Sequence, residues 1–164
     1  MALTSTITTY NPSWPTQYAA TAEEVKRAFG TANITIHHVG STAVEGLSAK
    51  PEIDVLIIVP SLCCVDQAQP HLQHLGYQRG SNLSAGHAFF RRDVQGVRTH
   101  KLHVCLDGHA EISRMLHFRD RLRNEPTLRD AYQHLKLTLA RTNTAGIGEY
   151  IAGKSPFITA ALTG

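Results

Sequence analysis

Residues 37–60, His-His-Val-Gly-Ser-Thr-Ala-Val-Glu-Gly-Leu-Ser-Ala-Lys-Pro-Glu-Ile-Asp-Val-Leu-Ile-Ile-Val-Pro, leave this chain few ways to fold. The stretch divides into three pieces. Thr35–Val39 is rich in β-branched residues and predicts a strand. Gly40-Ser41-Thr42 breaks the extended pattern and offers two hydroxyls where a helix can begin. Residues 52–59 predict a second, strongly apolar strand with acids only at its start, Glu52 and Asp54. Residues two apart on a strand share a face, so the two carboxylates project together. Side by side they repel each other, and the pair asks for a cation. Oxygen ligands of this kind suit magnesium.

Around this centre the patterns alternate. Residues 16–29 predict a helix capped by Thr21, with Glu24 three residues on and Ala22, Val25, Ala28 and Phe29 on one face. Gly30 ends it. Between Gly40 and Pro51 a short helix would bury Ala43, Val44 and Leu47. Residues 64–75 predict a surface helix with Val65, Ala68, Leu72 and Leu75 inward, kinked or broken at Pro70. A short strand or turn at 76–80 and a small polar loop at 81–86 follow. Residues 87–92 and 97–106 then read as a hairpin about Gln95-Gly96. From residue 107 the pattern is helical. Residues 109–123 turn Ile112, Met115 and Leu116 inward, and Pro126 opens the next helix. Residues 128–140 carry Leu128, Tyr132, Leu135 and Leu139 at helical spacing. Gly146 and Gly148 mark a break, and 149–162 are helical with a turn at Gly153. The order predicts one α+β domain over 1–164 with a mixed sheet.

Composition narrows the function classes. A length of 164 residues suits one domain with a real core. No run approaches the ~20 apolar residues of a membrane helix. Met1-Ala2-Leu3 leads into Thr and Ser without the basic and apolar regions of a secretory leader, so a cytoplasmic protein is expected. A net charge of +3 permits an anionic ligand without demanding nucleic acid. No run of Lys or Arg exceeds two, which argues against extended nucleic-acid binding. Cys63, Cys64 and Cys105 lack metal-ligand spacing and read as reduced, mostly buried thiols. Five residues separate Gly40 from Gly46 and Leu47 stands in the lysine's place, so this is not a P-loop.

The turn followed by an acid-apolar-acid strand resembles the signature of the nucleotidyltransferase superfamily. Several segments sharpen the resemblance to its GrpB-like branch: His38-Val39-Gly40-Ser41-Thr42-Ala43-Val44, Gly46-Leu47, Ala49-Lys50-Pro51 and Ile53-Asp54. Further matches are Tyr10-x-Pro12-x-Trp14-Pro15, Thr99-His100-x-Leu102-His103-Val104, His117-Phe118-Arg119-Asp120, and Tyr150 with Lys154, Phe157 and Ile158. The resemblance implies a nucleotidyltransferase-like mixed β-sheet flanked by helices, with helices at the C-terminal end. It also implies Mg²⁺-dependent transfer of a nucleotidyl group from an NTP to a small acceptor.

Carried onto this chain, the resemblance assigns phosphate to Gly40 and Ser41, with Thr42 helping. Asp54, Glu52 and His103 become the catalytic and metal-holding residues. GrpB-like sequences usually have an apolar residue where Glu52 stands. Glu52 is therefore either a retained half of a two-carboxylate metal site or an exposed glutamate after a proline. The alternative for Asp54 is a pair with Lys50 or an arginine at the strand end, and the alternative for Lys50 is to neutralise a phosphate. Strand parity puts Lys101 and His103 on one face, His100 and Leu102 on the other. No acid lies in Val97–Leu106, so His103 takes the third carboxylate's place. One of Arg91 and Arg92 points across the sheet, and Arg91 could clamp a triphosphate. His38 would support the site from behind. Arg119 with Asp120, and Lys154, read first as structural pairs and helix surface. Tyr10 and Trp14 read as core.

Two rival functions stand beside transfer. One is a non-catalytic module for a nucleotide or phosphate-bearing metabolite. The other is a transition-metal hydrolase built on His38, His100 and His103. The sequence is silent on oligomeric state.

Overall fold

The computed structural model describes residues 6–163, and the reading of Met1-Ala2-Leu3 as no leader lies outside them. Helices α1 (Trp14–Ala28), α2 (Cys63–His74), α3 (Ala110–Asn124), α4 (Pro126–Thr142) and α5 (Ile147–Thr163) flank one sheet. Its strands are β1 (Thr35–Val39), β2 (Ile53–Val59), β3 (Gln78–Arg79), β4 (His87–Val94) and β5 (Val97–Leu106). The strand order is β1-β2-β5-β4-β3, with β2 and β5 parallel and every other pair antiparallel. The α+β architecture with a mixed sheet is thus the one expected. Among the described residues no helix is long and apolar enough to cross a membrane.

Strand β2 is apolar on both faces because both are covered. Ile53, Val55, Ile57 and Val59 join Trp14, Val25, Phe29 and Leu72 in the main core under α1 and α2. On the other face Val39, Leu56 and Cys105 meet Ile112, Met115 and Leu116 of α3. A third cluster, Val44, Leu47, Leu122 and Tyr132, ties the segment after Gly40 to the C-terminal helices. The start of β2 and the middle of β5 are left facing α4 and α5 across a cleft.

Local differences from expectation have physical causes. Helix α1 begins two residues early, at Trp14, because Pro15 suits a first turn. Thr21 does not cap it. Its hydroxyl lies mid-helix, donating to the Gln17 carbonyl at 2.9 Å and meeting His100 Nε2 at 3.1 Å. Helix α2 runs unbroken through Pro70. Pro70 and Asp66 are both exposed, so the carbonyl that loses its donor faces water. Helix α5 also continues through Gly153, where an added Cβ would lie 2.5 Å from Leu139 Cδ2. That glycine serves close approach of α4 and α5 rather than a turn. Of the three free cysteines only Cys105 is buried, and Cys63 is exposed. The Gln95-Gly96 turn has φ of 52° and 78°, as a two-residue hairpin of this twist requires.

Candidate functional site

The cleft opens where β1 meets the head of β2. Gly40 turns with φ +75°, and a Cβ there would stand 2.9 Å from Asp54 Cβ and Cγ. Only glycine lets the turn close onto the acid. The helix expected after it is a single 3-10 turn, Ser41–Ala43. A turn of three residues carries little macrodipole, so positive charge at Ser41 must come from elsewhere.

It comes from α4. Lys136 is 2% exposed, and its ammonium donates to Ser41 Oγ at 2.9 Å and to the Ser48 carbonyl at 2.6 Å. Burial, with Lys154 and Lys50 nearby, pushes its pKa down to about 7. Burial likewise pushes Lys154 down to about 8, and its ammonium lies 4.6 Å from the centre of the Tyr150 ring. Lys50 faces the same ring from 5.1 Å. Lys154 therefore lies in the cleft, not on an open helix surface.

Asp54 and Glu52 share the cleft face, as their spacing predicts. Glu52 is 4% exposed, so it is not an exposed glutamate after a proline. Lys101 sits between the two acids, its Nζ 3.2 Å from Glu52 Oε2 and 3.3 Å from Asp54 Oδ1. The adjacent carboxylates raise its pKa against the cost of burial. Lys50 Nζ stands 3.8 Å from Glu52 Oε1. His103 shares the face with Lys101, and its Nε2 is 3.9 Å from Asp54 Oδ1. Its Nδ1 meets His87 Nε2 at 3.0 Å. Burial pushes His103 down to about 4, leaving a neutral ring.

Other expected residues fall elsewhere. The register Arg91↔Lys101 places Arg91 on the cleft side of β4, but it is exposed and lines neither cavity of the cleft. Arg92 turns to the opposite face, 5.0 Å from the centre of the Tyr77 ring and 3.1 Å from His100 Nδ1. Thr42 is buried with its hydroxyl 2.9 Å from His38 Nε2. His38, stacked on Tyr18 at 4.5 Å, supports the turn from behind. His38 and His100 lie under α1 while His103 faces the cleft, so the three cannot share a metal ion. Among the described residues no group of three or more His, Cys, Asp or Glu is placed to hold one.

The Mg²⁺ implied by the resemblance can be tested against this donor set. Of the four carboxylate oxygens, Glu52 Oε1 faces Lys50, Glu52 Oε2 faces Lys101, and Asp54 Oδ1 faces Lys101 and His103. Asp54 Oδ2 lies against Gly40. Magnesium needs roughly octahedral oxygen at about 2.0–2.1 Å. Side chains placed this way do not fit it.

The cleft has two adjoining chambers of about 370 and 420 Å³ that share Ser41, Asp54, His103, Ile151 and Lys154. Such volumes suit a small organic ligand. The first is walled by Val39, Met115, Phe118, Leu122, Tyr132 and Ile158, with Arg114 and Arg119 among its polar groups. Arg119 also donates to the His38 carbonyl at 3.1 Å and pairs with Asp120. The second sets five cations, Lys50, Arg98, Lys101, Lys136 and Lys154, against two carboxylates, Glu52 and Asp54. The first chamber carries the longer aliphatic and aromatic wall, and the second the larger excess of cations.

A mixed sheet with an acid on its second strand, closed by a Gly-Ser turn, gives this chain a nucleotidyltransferase-like fold. A crystal structure of Cid1 poly(U) polymerase with MgGTP bound aligns over 82% of this chain and 45% of that one, at a TM-score of 0.60 and 12% identity. A likeness at that identity shows the fold alone. Within it the chain belongs to the GrpB family, whose profile, described as GrpB protein, matches residues 4–163. The crystal structure of conserved protein GrpB from Enterococcus faecalis covers 96% of this chain and 95% of its own, at a TM-score of 0.89 and 33% identity. UPF0157 protein YqkA of Bacillus subtilis is 38% identical over 93% of this chain, which spans only 44% of that relative's length. UPF0157 protein BH1888 of Halalkalibacterium halodurans is 34% identical, with 78% of its length matched. A dephospho-CoA kinase of Mycolicibacterium paratuberculosis is 27% identical over 90% of this chain and 42% of its own length.

Sequence reasoning missed Lys136 and assigned no role to Lys101. Lys101 was legible in part, since parity placed it on the same face as His103. For Lys136 the signal was a lysine four residues from Tyr132, on the stripe the helix buries.

Proposed function

We propose that this chain binds a nucleotide, or a related phosphate-bearing small molecule, in the cleft. The phosphates lie among Ser41, Lys136 and Lys154, and the organic part fills the adjoining chamber against the wall of Phe118, Leu122 and Tyr132. The carrying observation is the buried ammonium of Lys136, whose hydrogen-bond acceptors, Ser41 Oγ and the Ser48 carbonyl, are both uncharged. Among the described residues no carboxylate forms a salt bridge with it; a cation buried in this way is costly, and a bound phosphate offsets that cost. The match to part of a dephospho-CoA kinase adds dephospho-CoA to the ligands worth trying.

Nucleotidyl transfer from an NTP is the second reading, favoured by Asp54 standing against the Gly40-Ser41 turn. It requires turnover as well as affinity. The test is thermal stability with each NTP, dephospho-CoA and pyrophosphate, for wild type and Lys136→Met. A ligand at a hundred times its Kd should add about 2.7 kcal/mol to wild type. Lys136→Met should keep the fold, since an apolar residue of similar volume replaces a buried charge, but should lose most of the ligand's effect. A wild type stabilised by none of these compounds ends the binding reading. Pyrophosphate released from an NTP in the presence of an acceptor replaces it with transfer.

A further inference from the structure

Two carboxylates on one strand face carry two negative charges, which need compensation wherever water is excluded. In this chain the compensation is covalently attached. Lys101 lies directly across from Asp54 in the β2–β5 register, and its ammonium is within 3.3 Å of both acids. Lys50 covers the remaining Glu52 oxygen at 3.8 Å. Two ammonium groups balance two carboxylates, and both chains are held by their surroundings. The side chains of Lys50 and Lys101 are 11% and 26% exposed. The ammonium of Lys101 occupies the place between the acids where a shared metal ion would have to stand.

We propose that Lys101 is the resident cation of the Glu52–Asp54 pair, so that the cleft takes phosphate groups without a divalent metal. A neutralised acid pair no longer repels an incoming anion. The remaining cations of that chamber, Lys136, Lys154 and Arg98, are left to attract it. Glu52 and Lys101 then form one unit, the acid's own cation standing on the adjacent strand.

The first test uses metal alone and does not depend on the nucleotide reading. Mn²⁺ is titrated into the full chain and the free ion is followed by electron paramagnetic resonance. Wild type and Lys101→Arg should bind it at least roughly tenfold more weakly than Lys101→Met, a step of the size that follows from changing a metal site's surroundings. Lys101→Gln, which keeps a donor for Glu52, serves in place of Lys101→Met should that variant not fold. Wild type that binds Mn²⁺ as tightly as these variants overturns the proposal.

The second arm rests on the proposed function. Inorganic pyrophosphate should bind wild type in EDTA within about twofold of its affinity in Mg²⁺, because the site's cations are its own. A gain of about tenfold on adding Mg²⁺ overturns the proposal. Pyrophosphate that binds in neither condition counts against the phosphate reading, and the Mn²⁺ comparison alone then decides the role of Lys101.

Discussion

At the scale of single residues, the chemistry of the cleft rests on lysines whose charge is adjustable near neutral pH. Burial lowers Lys136 to about 7 and Lys154 to about 8 from an ordinary 10.5. Both carry protons below those values and lose them above, so affinity for a phosphate should be highest below pH 7 and fall as pH rises through 7–8. Binding an anion favours the protonated forms. Calorimetry at about pH 8 in buffers of different ionisation enthalpy should therefore show uptake of roughly one to two protons per ligand, fading towards about pH 6. Stability of the free protein moves the other way. A depressed lysine binds fewer protons folded than unfolded, so stability rises between the folded value and 10.5. A ligand that binds without proton uptake would not be touching these lysines. The acids and the glycine were legible because their spacing along one strand and turn is local, and His103 because it lies in a motif that the resemblance carries. Lys136 was not, because its burial is created by α5 and the segment at Ser48.

At the scale of elements, the sheet was the most readable part. Thr35–Val39 and Val97–Leu106 fall where β-branching and alternation place them. The breaks were less readable, since proline and glycine have more than one use. Gly153 shows this. As a mid-helix glycine it costs about 1 kcal/mol of helix propensity, which its close approach to Leu139 offsets. Gly153→Ala should be nearly neutral, the propensity gained balancing a small shift of the Leu139 tip. Gly153→Leu should cost about 2–3 kcal/mol by forcing α4 and α5 apart. Urea unfolding of both variants checks this, and equal effects would mean the helices do not meet there as described. Since α4 and α5 carry Lys136 and Lys154, the larger residue should also weaken phosphate binding.

At the scale of the whole molecule, the sheet separates two populations of polar groups. The cleft side holds the acids and lysines, and the α1 side holds His38 and His100, each pushed down to about 4 by burial. Both are neutral when folded at neutral pH, and between about 4 and 6.5 protonation favours the unfolded chain. Their contribution is intact above the ordinary 6.5 and is lost as pH falls through 4. With His103, which burial in the cleft also holds down to about 4, three protons correspond to a slope of at most about 4 kcal/mol per pH unit in that window. Unfolding midpoints measured across it should fall steeply, and His100→Gln should remove about a third of the slope. What the sequence by itself determined is the local order: strand, Gly-Ser turn, acid-bearing strand, hairpin and helices, because side-chain period and turn chemistry act between near neighbours. It also determined that Glu52 and Asp54 share one face of their strand, and Lys101 and His103 one face of theirs, because strand parity is geometric. Only the tertiary structure decided that Lys101 stands between the acids, that Lys136 reaches Ser41 and that Arg91 stays outside. Those outcomes depend on which strand lies beside β2 and where the last two helices cross it, and residues so far apart in the chain are brought together only by the packed core.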